Sequence, residues 1–247
     1  MMRPPSARVA LFVPEPFEAG KVLSLADDAA NHLRAVRASL GDVVDLRDGR
    51  GGVGSGTIAR LSRESVTVDV TEAETVEPLP PIHLMAPIGD RDRMLWLGEK
   101  AAEIGVASWR PVLWKRSKSV SPRGEGTMFM AKLRLRMISA LLQSRGAWLP
   151  EVHPDAPPER AIAAAPPGTR ILLDVAGSPI LSVTLAAPVI IALGPEGGVE
   201  DQERSAFIES GFSPVTLGST TLRFETAGVS AAAIARAATS LSTSGHV

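Results

Sequence analysis

The sequence contains no cysteine in its 247 residues. This absence excludes disulfide bonds, thiolate ligands for metal ions and thiol nucleophiles in catalysis. Histidine, another common metal ligand, occurs four times and without the spacing of a metal site, at His32, His83, His153 and His246. The sequence therefore predicts no metal site, either structural or catalytic.

The chain also has almost no net charge, because 26 Lys and Arg residues nearly balance 27 Asp and Glu residues. No overall field would attract nucleic acid, so binding of that kind requires a local basic patch. The short apolar run before Pro14 is not a signal peptide, so we expect a cytoplasmic protein. Glycine and prolines interrupt the uncharged stretch between Asp174 and Glu196, which therefore predicts short buried strands and no membrane span.

Residues from about 6 to 75 predict a small β-rich unit, because short β-branched runs alternate with turn residues. One helix interrupts these strands. We expect it to begin at Asp27 or Asp28 and to end at Gly41. Its predicted apolar face consists of Ala30, Leu33, Val36 and Leu40. The order strand, helix, strand, strand favours a small barrel over residues 1–76, and the prolines at 78, 80 and 81 predict a linker after it.

Strands and helices alternate over residues 77–247. Apolar runs predict strands at 82–87, 108–114, 170–176, 188–194 and 213–218, and helical periodicity predicts helices at 91–105, 127–144, about 200–210 and 226–241. This alternation indicates an α/β fold with a mostly parallel sheet covered on both faces. Ligands of such folds bind in the loops beyond the carboxyl ends of the strands.

The glycine-rich segment 51–56 (GGVGSG) has the composition of a phosphate-binding loop, but it leads into a strand. A dinucleotide loop must open a helix whose amide groups face the phosphate. We therefore interpret this segment as a β-turn.

A second glycine-rich loop, 194–198 (GPEGG), follows the apolar strand at 188–193 and leads into the helix near Glu200. Its glycines permit close approach of the backbone to a ligand, and Glu196 is its only charged residue. The same features also suit a tight turn from strand to helix, with a carboxylate favoured near the helix N-terminus. On its own, this loop leaves both interpretations open.

The next strand ends in another loop, 217–228 (LGSTTLRFETAG). If the two strands are adjacent and parallel, their carboxyl ends lie side by side and the two loops form one pocket. Arg223, Glu225 and Thr226 cluster at the start of an alanine-rich helix, with Thr226 or Glu225 as its cap. The alternatives are an ion pair of Arg223 with Glu225 or Glu196, and a core contact for Phe224.

Residues 193–203 (LGPEGGVEDQE) and 211–227 (GFSPVTLGSTTLRFETA) resemble the knot region of SPOUT-class methyltransferases, in particular the ribosomal RNA small subunit methyltransferase E family. Residues 31–52 resemble that family's N-terminal PUA-like β-barrel, and residues 93–106 and 111–117 resemble its first methyltransferase helix and strand. The resemblance implies a SPOUT-type α/β knot domain with a trefoil knot at about 170–247. It also implies a homodimer and methylation of N3 of a specific uridine in 16S ribosomal RNA. The small residues of the last helix fit the dimer, although they suit packing on the sheet equally well.

The chain departs from the family at three places. The family usually has Glu-Gln-Ser-Gly-Arg where this chain reads Leu142-Gln143-Ser144-Arg145-Gly146. Glu200 stands where the family usually has serine, and Phe224 stands where it usually has threonine. The first change affects details of the substrate side, whereas the other two leave the cofactor loops intact.

The resemblance implies S-adenosylmethionine as the cofactor, and the absence of cysteine restricts methylation to nitrogen or oxygen, since C5 methylation of a pyrimidine generally needs a thiolate. The predicted cofactor-binding residues are Leu173, Leu193, Gly194, Pro195, Gly197, Gly198, Leu217, Gly218, Leu222 and Thr226. The predicted catalytic residues are Arg223, Glu196 and Glu225. We expect Arg223 to stabilise negative charge on the base carbonyls, and one of the two glutamates to orient Arg223 or to take the proton.

Residues 110–145 contain nine basic side chains against one acidic one, Glu125. Such an excess is typical of phosphate binding, although a solvated surface loop is the alternative. The predicted RNA-binding residues are Arg34, Arg37, Lys115, Arg116, Lys118, Arg123, Gln143 and Arg145. Trp114 beside the patch suits either base stacking or the core.

Two other functions remain open on the sequence alone. One is a SPOUT methyltransferase with a different RNA target, which the altered segment 142–146 permits. The other is an RNA-binding ribosome assembly factor without activity, which the two glycine loops and Arg223 disfavour. A nicotinamide-dependent enzyme is disfavoured further, because a phosphate loop and a ribose-binding acid at the expected spacing are missing.

Overall fold

The computed structural model describes residues 9–117 and 126–243. The chain divides into two units, of which the first comprises Met1–Pro78 with Leu141–Leu149. The second comprises Leu79–Ala140 and Pro150–Val247. Sequence patterns did not indicate that residues 141–149 belong with the N-terminal unit. Among the described residues, no helix is long and apolar enough to cross a membrane.

The first unit is built on one five-stranded sheet with the strand order β1-β3-β4-β5-β2. Its elements are β1 (Ala10–Phe12), β2 (Val22–Leu25), α1 (Asp27–Ala35), β3 (Val43–Arg47), β4 (Gly52–Leu61) and β5 (Val66–Thr75). β1 pairs in parallel with β3, and the other pairs are antiparallel. Along β5, Val66, Val68 and Val70 are buried while Asp69 is exposed, because alternate residues of a strand point to opposite faces.

The helix α1 is shorter than predicted, and its expected apolar face was wrong in part. Ala30 and Leu33 are buried, but Val36 and Leu40 are 47% and 65% exposed. The helix ends early because Arg37 adopts a left-handed conformation, with φ of 58°. This turn lets the N–H of Ala38 donate to the carbonyl of Leu33 at 2.9 Å, which closes the helix before Gly41.

The glycine-rich segment 51–56 forms the start of β4, which begins at Gly52, so the β-turn interpretation was wrong. The backbone of residues 49–51, just before β4, pairs with residues 147–149 of the same unit, since Gly51 N donates to Ala147 O at 2.9 Å and Leu149 N donates to Gly49 O at 2.9 Å. A Cβ atom on Gly51 would lie 2.6 Å from Cζ2 of Trp148. The Trp148 indole in turn donates to Val76 O at 2.8 Å.

The second unit contains a six-stranded sheet with the strand order β11-β9-β10-β6-β7-β8, in which neighbouring strands pair in parallel. Its strands are β6 (Ile82–Pro87), β7 (Ser108–Val112), β8 (Glu151–Val152), β9 (Thr169–Pro179), β10 (Val189–Leu193) and β11 (Ser213–Thr216). Its helices are α2 (Arg91–Ile104), α3 (Gly126–Ser144), α4 (Pro158–Ala163), α5 (Asp201–Glu209) and α6 (Phe224–Thr243), and the last residues of α3 belong to the first unit.

All five residues of β10 are buried, which is the pattern of a strand covered on both faces. Ile190 and Ala192 belong to a core cluster with Phe207 of α5. On the other face, Leu193 lies close to Gly228 of α6. The predicted parallel sheet with helices on both faces is therefore confirmed.

Two local predictions for this unit were wrong. β10 and β11 are not adjacent, because β9 lies between them and pairs with both. The helix α6 begins at Phe224, two residues earlier than expected, so Glu225 and Thr226 lie in its first turn instead of capping it. The residue before the helix is Arg223, whose carbonyl accepts from Ala227 N at 2.9 Å.

Candidate active site

A cavity of about 390 Å³ lies at the carboxyl ends of β9, β10 and β11, entirely within the second unit. We call it the first cavity. The glycine loop 194–198 and the loop 217–222 both contribute to its wall, although their strands are separated by β9. The central strand β9 adds Leu172, Leu173 and Asp174. The two loops thus meet across the end of a third strand.

Most of the predicted cofactor-binding residues line this cavity. These are Leu173, Leu193, Gly194, Pro195, Gly198, Leu217, Gly218 and Leu222. Gly197 instead lines a neighbouring cavity, and Thr226 is exposed in the first turn of α6 and lines neither cavity. Sequence patterns missed the threonines at 216, 220 and 221, which also line it.

The glycine loop is tightly folded after β10. Gly198 has φ of +79° and donates from N to Pro195 O at 2.9 Å, which closes a turn that an L side chain would strain. A Cβ atom on Gly194 would lie 2.5 Å from Cγ2 of Val199. Small residues are therefore required here so that the loop can turn back against the start of α5.

The wall of the first cavity also carries an ion pair that the sequence analysis missed. Arg204 Nε lies 2.6 Å from Oδ2 of Asp174. Burial by itself would raise the pKa of Asp174, but hydrogen bonds from Arg204 and from Ala176 N outweigh it, so the pKa lies below its ordinary value. The cavity thus keeps an ionised carboxylate in its wall.

The two predicted catalytic glutamates lie close together around a third residue, Arg93 in the first turn of α2. Arg93 forms an ion pair with Glu196 of the glycine loop, and its Nε lies 3.8 Å from Oε1 of Glu225. Arg223 is exposed, and these contacts of the two carboxylates are with Arg93 instead of Arg223. The sequence offered no signal for Arg93, because it lies 103 positions before Glu196.

Glu225 is the more buried of the two carboxylates, with its side chain 10% exposed. Its Oε2 is buried without a hydrogen-bond partner in the part of the chain that the structure describes. A buried carboxylate oxygen without a partner destabilises the folded protein. Arg93 is the neighbouring cation that compensates the negative charge of Glu225. Phe224, the preceding residue, is buried at 4% exposure, which confirms the core interpretation for its ring.

A second cavity of about 240 Å³ adjoins the first and shares Pro195, Glu196 and Phe224 with it. It lies beyond the end of β6 and beside the start of α2. Its remaining lining residues are Pro87, Ile88, Gly89, Asp90, Arg93, Arg116 and Gly197. Asp90 accepts from Arg93 N at 3.1 Å and so caps α2.

Two of the predicted RNA-binding residues contact the start of α5. Lys115 Nζ lies 2.7 Å from Oε2 of Glu200, and Arg116 Nε lies 3.5 Å from Oε1 of the same carboxylate. The hydrogen bond between Lys115 and Glu200 raises the pKa of the lysine and lowers the pKa of the glutamate. Glu200, a departure from the family, therefore holds the segment after β7 against the glycine loop.

The remaining basic predictions lie elsewhere. Arg34, Arg37, Gln143 and Arg145 are exposed residues of the first unit, and Lys118 and Arg123 lie outside the described residues. Trp114 is buried and stacks on Phe207 at 5.0 Å between ring centroids, so it belongs to the core.

Comparison with known proteins agrees with this architecture. The family described as "RNA methyltransferase domain" matches residues 76–236. The chain belongs to this family. A second family, described as "RNA methyltransferase PUA domain", matches residues 25–71 within the first unit. The predicted resemblance is thereby confirmed for both parts of the chain.

Curated relatives carry the name ribosomal RNA small subunit methyltransferase E. The Synechocystis protein is 29% identical over 202 residues, which cover 78% of this chain and 65% of that protein, slightly less than two thirds of its length. The Mycobacterium bovis protein is 26% identical over 222 residues, covering 85% of this chain and 84% of its own.

Solved structures of similar proteins extend the likeness over both units. A Legionella pneumophila protein solved in complex with S-adenosylmethionine has a TM-score of 0.86 and 26% identity, covering 95% of this chain and 99% of its own. The Neisseria gonorrhoeae ribosomal RNA small subunit methyltransferase E, bound to S-adenosylmethionine, has a TM-score of 0.84 and 25% identity over 94% of this chain and 98% of its own. The fold class is therefore a SPOUT-type α/β methyltransferase domain preceded by a PUA-like domain.

Proposed function

We propose that this chain is an S-adenosylmethionine-dependent methyltransferase that acts on N3 of a specific uridine, uracil-1498, of 16S ribosomal RNA. The observation that carries the proposal is the first cavity, which two glycine-containing loops form at the ends of parallel strands. Membership of the RNA methyltransferase family and the names of the relatives supply the substrate class.

The residues of the first cavity fit S-adenosylmethionine. This ligand carries a positive sulfonium and a flat adenine ring. The cavity offers apolar walls from Leu172, Leu193 and Val215 and the ionised carboxylate of Asp174. Its volume of about 390 Å³ lies within the usual range for a small-molecule site.

Bound S-adenosylmethionine supplies an activated methyl group, so the protein must chiefly align the acceptor and handle a proton. Uracil N3 carries a hydrogen and is a poor nucleophile until it is deprotonated. We assign Arg223 the stabilisation of negative charge on the base carbonyls, and Glu196 or Glu225 the proton. Both glutamates contact Arg93 and not Arg223. We therefore assign one of them the proton, and neither of them the orientation of Arg223.

We assign RNA binding to basic residues of both units. The exposed cations Arg34, Arg37 and Arg145 suit contacts with phosphate. Lys115 and Arg116 are also exposed, and we assign them to RNA although each pairs with Glu200. Gln143, Lys118 and Arg123 complete the assignment. A homodimer, a trefoil knot at about 170–247 and a cytoplasmic location belong to the same proposal.

The decisive experiment is transfer of tritiated methyl groups to unmethylated small-subunit RNA and to intact small subunits, followed by nucleoside analysis. We expect 3-methyluridine as the product. A different methylated nucleoside would retain the activity and overturn the uridine assignment. Arg223→Ala should bind the cofactor normally and lose turnover. If calorimetry at millimolar S-adenosylmethionine detects no binding, the chain is an RNA-binding assembly factor instead.

A further inference from the structure

The second cavity lies where an acceptor must lie if the first cavity holds the methyl donor. The two cavities share Pro195, Glu196 and Phe224, so ligands bound in both would be neighbours. At about 240 Å³ the second cavity is the smaller, and it suits a single flat ring better than a whole nucleotide. The buried ring of Phe224 gives it an apolar wall.

The polar groups that line the second cavity are two guanidinium groups and two carboxylates. Two guanidinium groups, from Arg93 and Arg116, offer N–H donors, and the carboxylate of Glu196 offers acceptors. The other carboxylate, Asp90, is already engaged in capping α2 through the N–H of Arg93. Arg93 and Glu196 already bond to each other, and Arg116 pairs with Glu200. The groups that remain for a ligand are the other N–H donors of the two arginines and the second carboxylate oxygen of Glu196.

We propose that the second cavity binds the acceptor base of the RNA and selects a base with an imide edge, such as uracil. This inference rests on the proposed function. An imide edge presents acceptor, donor and acceptor in sequence, at O4, N3–H and O2. In this arrangement donors of Arg93 and Arg116 bind the two carbonyls, and the carboxylate of Glu196 accepts from N3–H. Arg223 lines neither cavity, so it stabilises the negative charge of the base from outside the second cavity.

The other bases lack this match. Cytosine presents a donor at N4 and acceptors at N3 and O2, so its amino group would face a guanidinium donor and its N3 would face a carboxylate. A buried donor or acceptor without a partner is unfavourable, so cytosine should bind less tightly than uracil. The same residues thus account for binding of uracil and rejection of cytosine.

Arg93 is the positioning residue of this arrangement. It lines the second cavity but not the first, and it pairs with Glu196 on the wall that the two cavities share. Its Nε also lies 3.8 Å from Glu225, whose other carboxylate oxygen has no hydrogen-bond partner among the described residues. Arg93 therefore positions Glu196, which faces N3–H, and also compensates the buried negative charge of Glu225.

The test uses the full chain and 4-thiouridine 5′-monophosphate as a photo-crosslinking probe. We expect crosslinks to map by mass spectrometry to the residues that line the second cavity, at 87–90, 93, 116, 195–197 or 224. We also expect uridine monophosphate to compete at least about tenfold better than cytidine monophosphate, a difference of about 1.4 kcal/mol. Crosslinks confined to other segments, or equal competition by the two nucleotides, would overturn the proposal.

Variants separate this inference from the function on which it rests. Arg93→Ala should reduce crosslinking about tenfold and leave the calorimetric affinity for S-adenosylmethionine within about twofold, because Arg93 lies outside the first cavity. Arg160→Ala removes an exposed arginine of α4 and should change neither quantity.

Arg93→Lys keeps the charge and should recover part of the crosslinking, and the melting temperature of each variant reports whether it folds. Normal crosslinking by folded Arg93→Ala would contradict the role of Arg93. If the wild-type chain crosslinks as expected but does not bind S-adenosylmethionine, the proposed function fails while the base site stands. If it binds S-adenosylmethionine and methylates RNA but crosslinks elsewhere, only the base site fails.

Discussion

Arg204 of α5 donates from Nε to Oδ2 of Asp174 at 2.6 Å, and both side chains line the first cavity. The pair joins the middle of β9 to the helix that follows the glycine loop. It holds an acidic group in the wall of a cavity that is otherwise mostly apolar, where a cationic ligand gains from it.

Asp174→Asn should weaken binding of S-adenosylmethionine about tenfold, which corresponds to about 1.4 kcal/mol. The change keeps the size of the side chain and removes its charge, so the cationic ligand loses an attractive group and Arg204 remains as an uncompensated cation in the same wall. Isothermal calorimetry measures the effect. Asp201→Asn, an exposed residue in the first turn of the same helix α5, is the control and should bind as the wild type does. Equal affinities for all three proteins would show that the carboxylate does not contribute.

Arg236 should be a main source of stability in the second unit. Its guanidinium donates to the carbonyls of Gly105 at 2.6 Å and Ile104 at 3.2 Å, at the carboxyl end of α2, and to the carbonyl of Pro80 at 2.7 Å, just before β6. Arg236→Ala leaves these carbonyls without their donor, so we expect a loss of about 3 kcal/mol in the free energy of unfolding. Arg236→Lys should lose less, because an ammonium keeps the charge.

Urea denaturation measures the free energies of the Arg236 variants. Arg160→Ala, which removes an exposed arginine of α4, should stay within about 0.5 kcal/mol of the wild type. A loss for Arg236→Ala no larger than that of this control would contradict the role.

Most elements near the site could be predicted from sequence because their signals are local. The buried strand β10 is a continuous apolar run, and Gly105 ends α2 with φ of 78° where the helix was expected to stop. Helix α1 shows the limit of periodicity, because Val36 continues the apolar spacing but the chain has already turned at Arg37.

The composition of the site was harder to predict than its elements. The meeting of the two loops was expected for the wrong reason, since β9 separates β10 from β11. Arg93 escaped notice because an arginine in the first turn of a helix is common, and only the tertiary fold brings it to Glu196. Long-range ion pairs of this kind leave no periodic trace in a sequence.

Stability should fall in mild acid because of His83, which lies near the amino-terminal end of β6, the end of the strand away from both cavities. Burial, and then the nearby His153, lower its pKa below 6.5, although Glu151 raises it. The unfolded chain therefore takes up the proton first as the pH falls. The contribution of His83 to stability is fully present above about pH 6.5 and is lost as the pH falls through the folded pKa.

His83→Gln should reduce the drop in melting temperature between pH 8 and pH 5.5, because glutamine does not titrate and keeps a hydrogen-bonding group near Ser108 Oγ, which His83 Nδ1 contacts at 2.7 Å. His32→Gln changes an exposed histidine and should retain the wild-type drop. An unchanged drop for His83→Gln would assign the acid sensitivity to other groups.

Gly51 should be more sensitive to substitution than Gly20, although both have positive φ. Gly51 has φ of +99° and a Cβ there would lie 2.6 Å from the Trp148 ring, whereas Gly20 has φ of +79° and nothing within 4 Å. Gly20→Ala should cost about 1 kcal/mol for the left-handed backbone alone. Gly51→Ala should cost at least about 2 kcal/mol, since Trp148 must also move from Val76 O. Tryptophan fluorescence during urea denaturation measures the free energy of unfolding of both variants, and equal losses would mean that the Trp148 ring adjusts freely to the added methyl group.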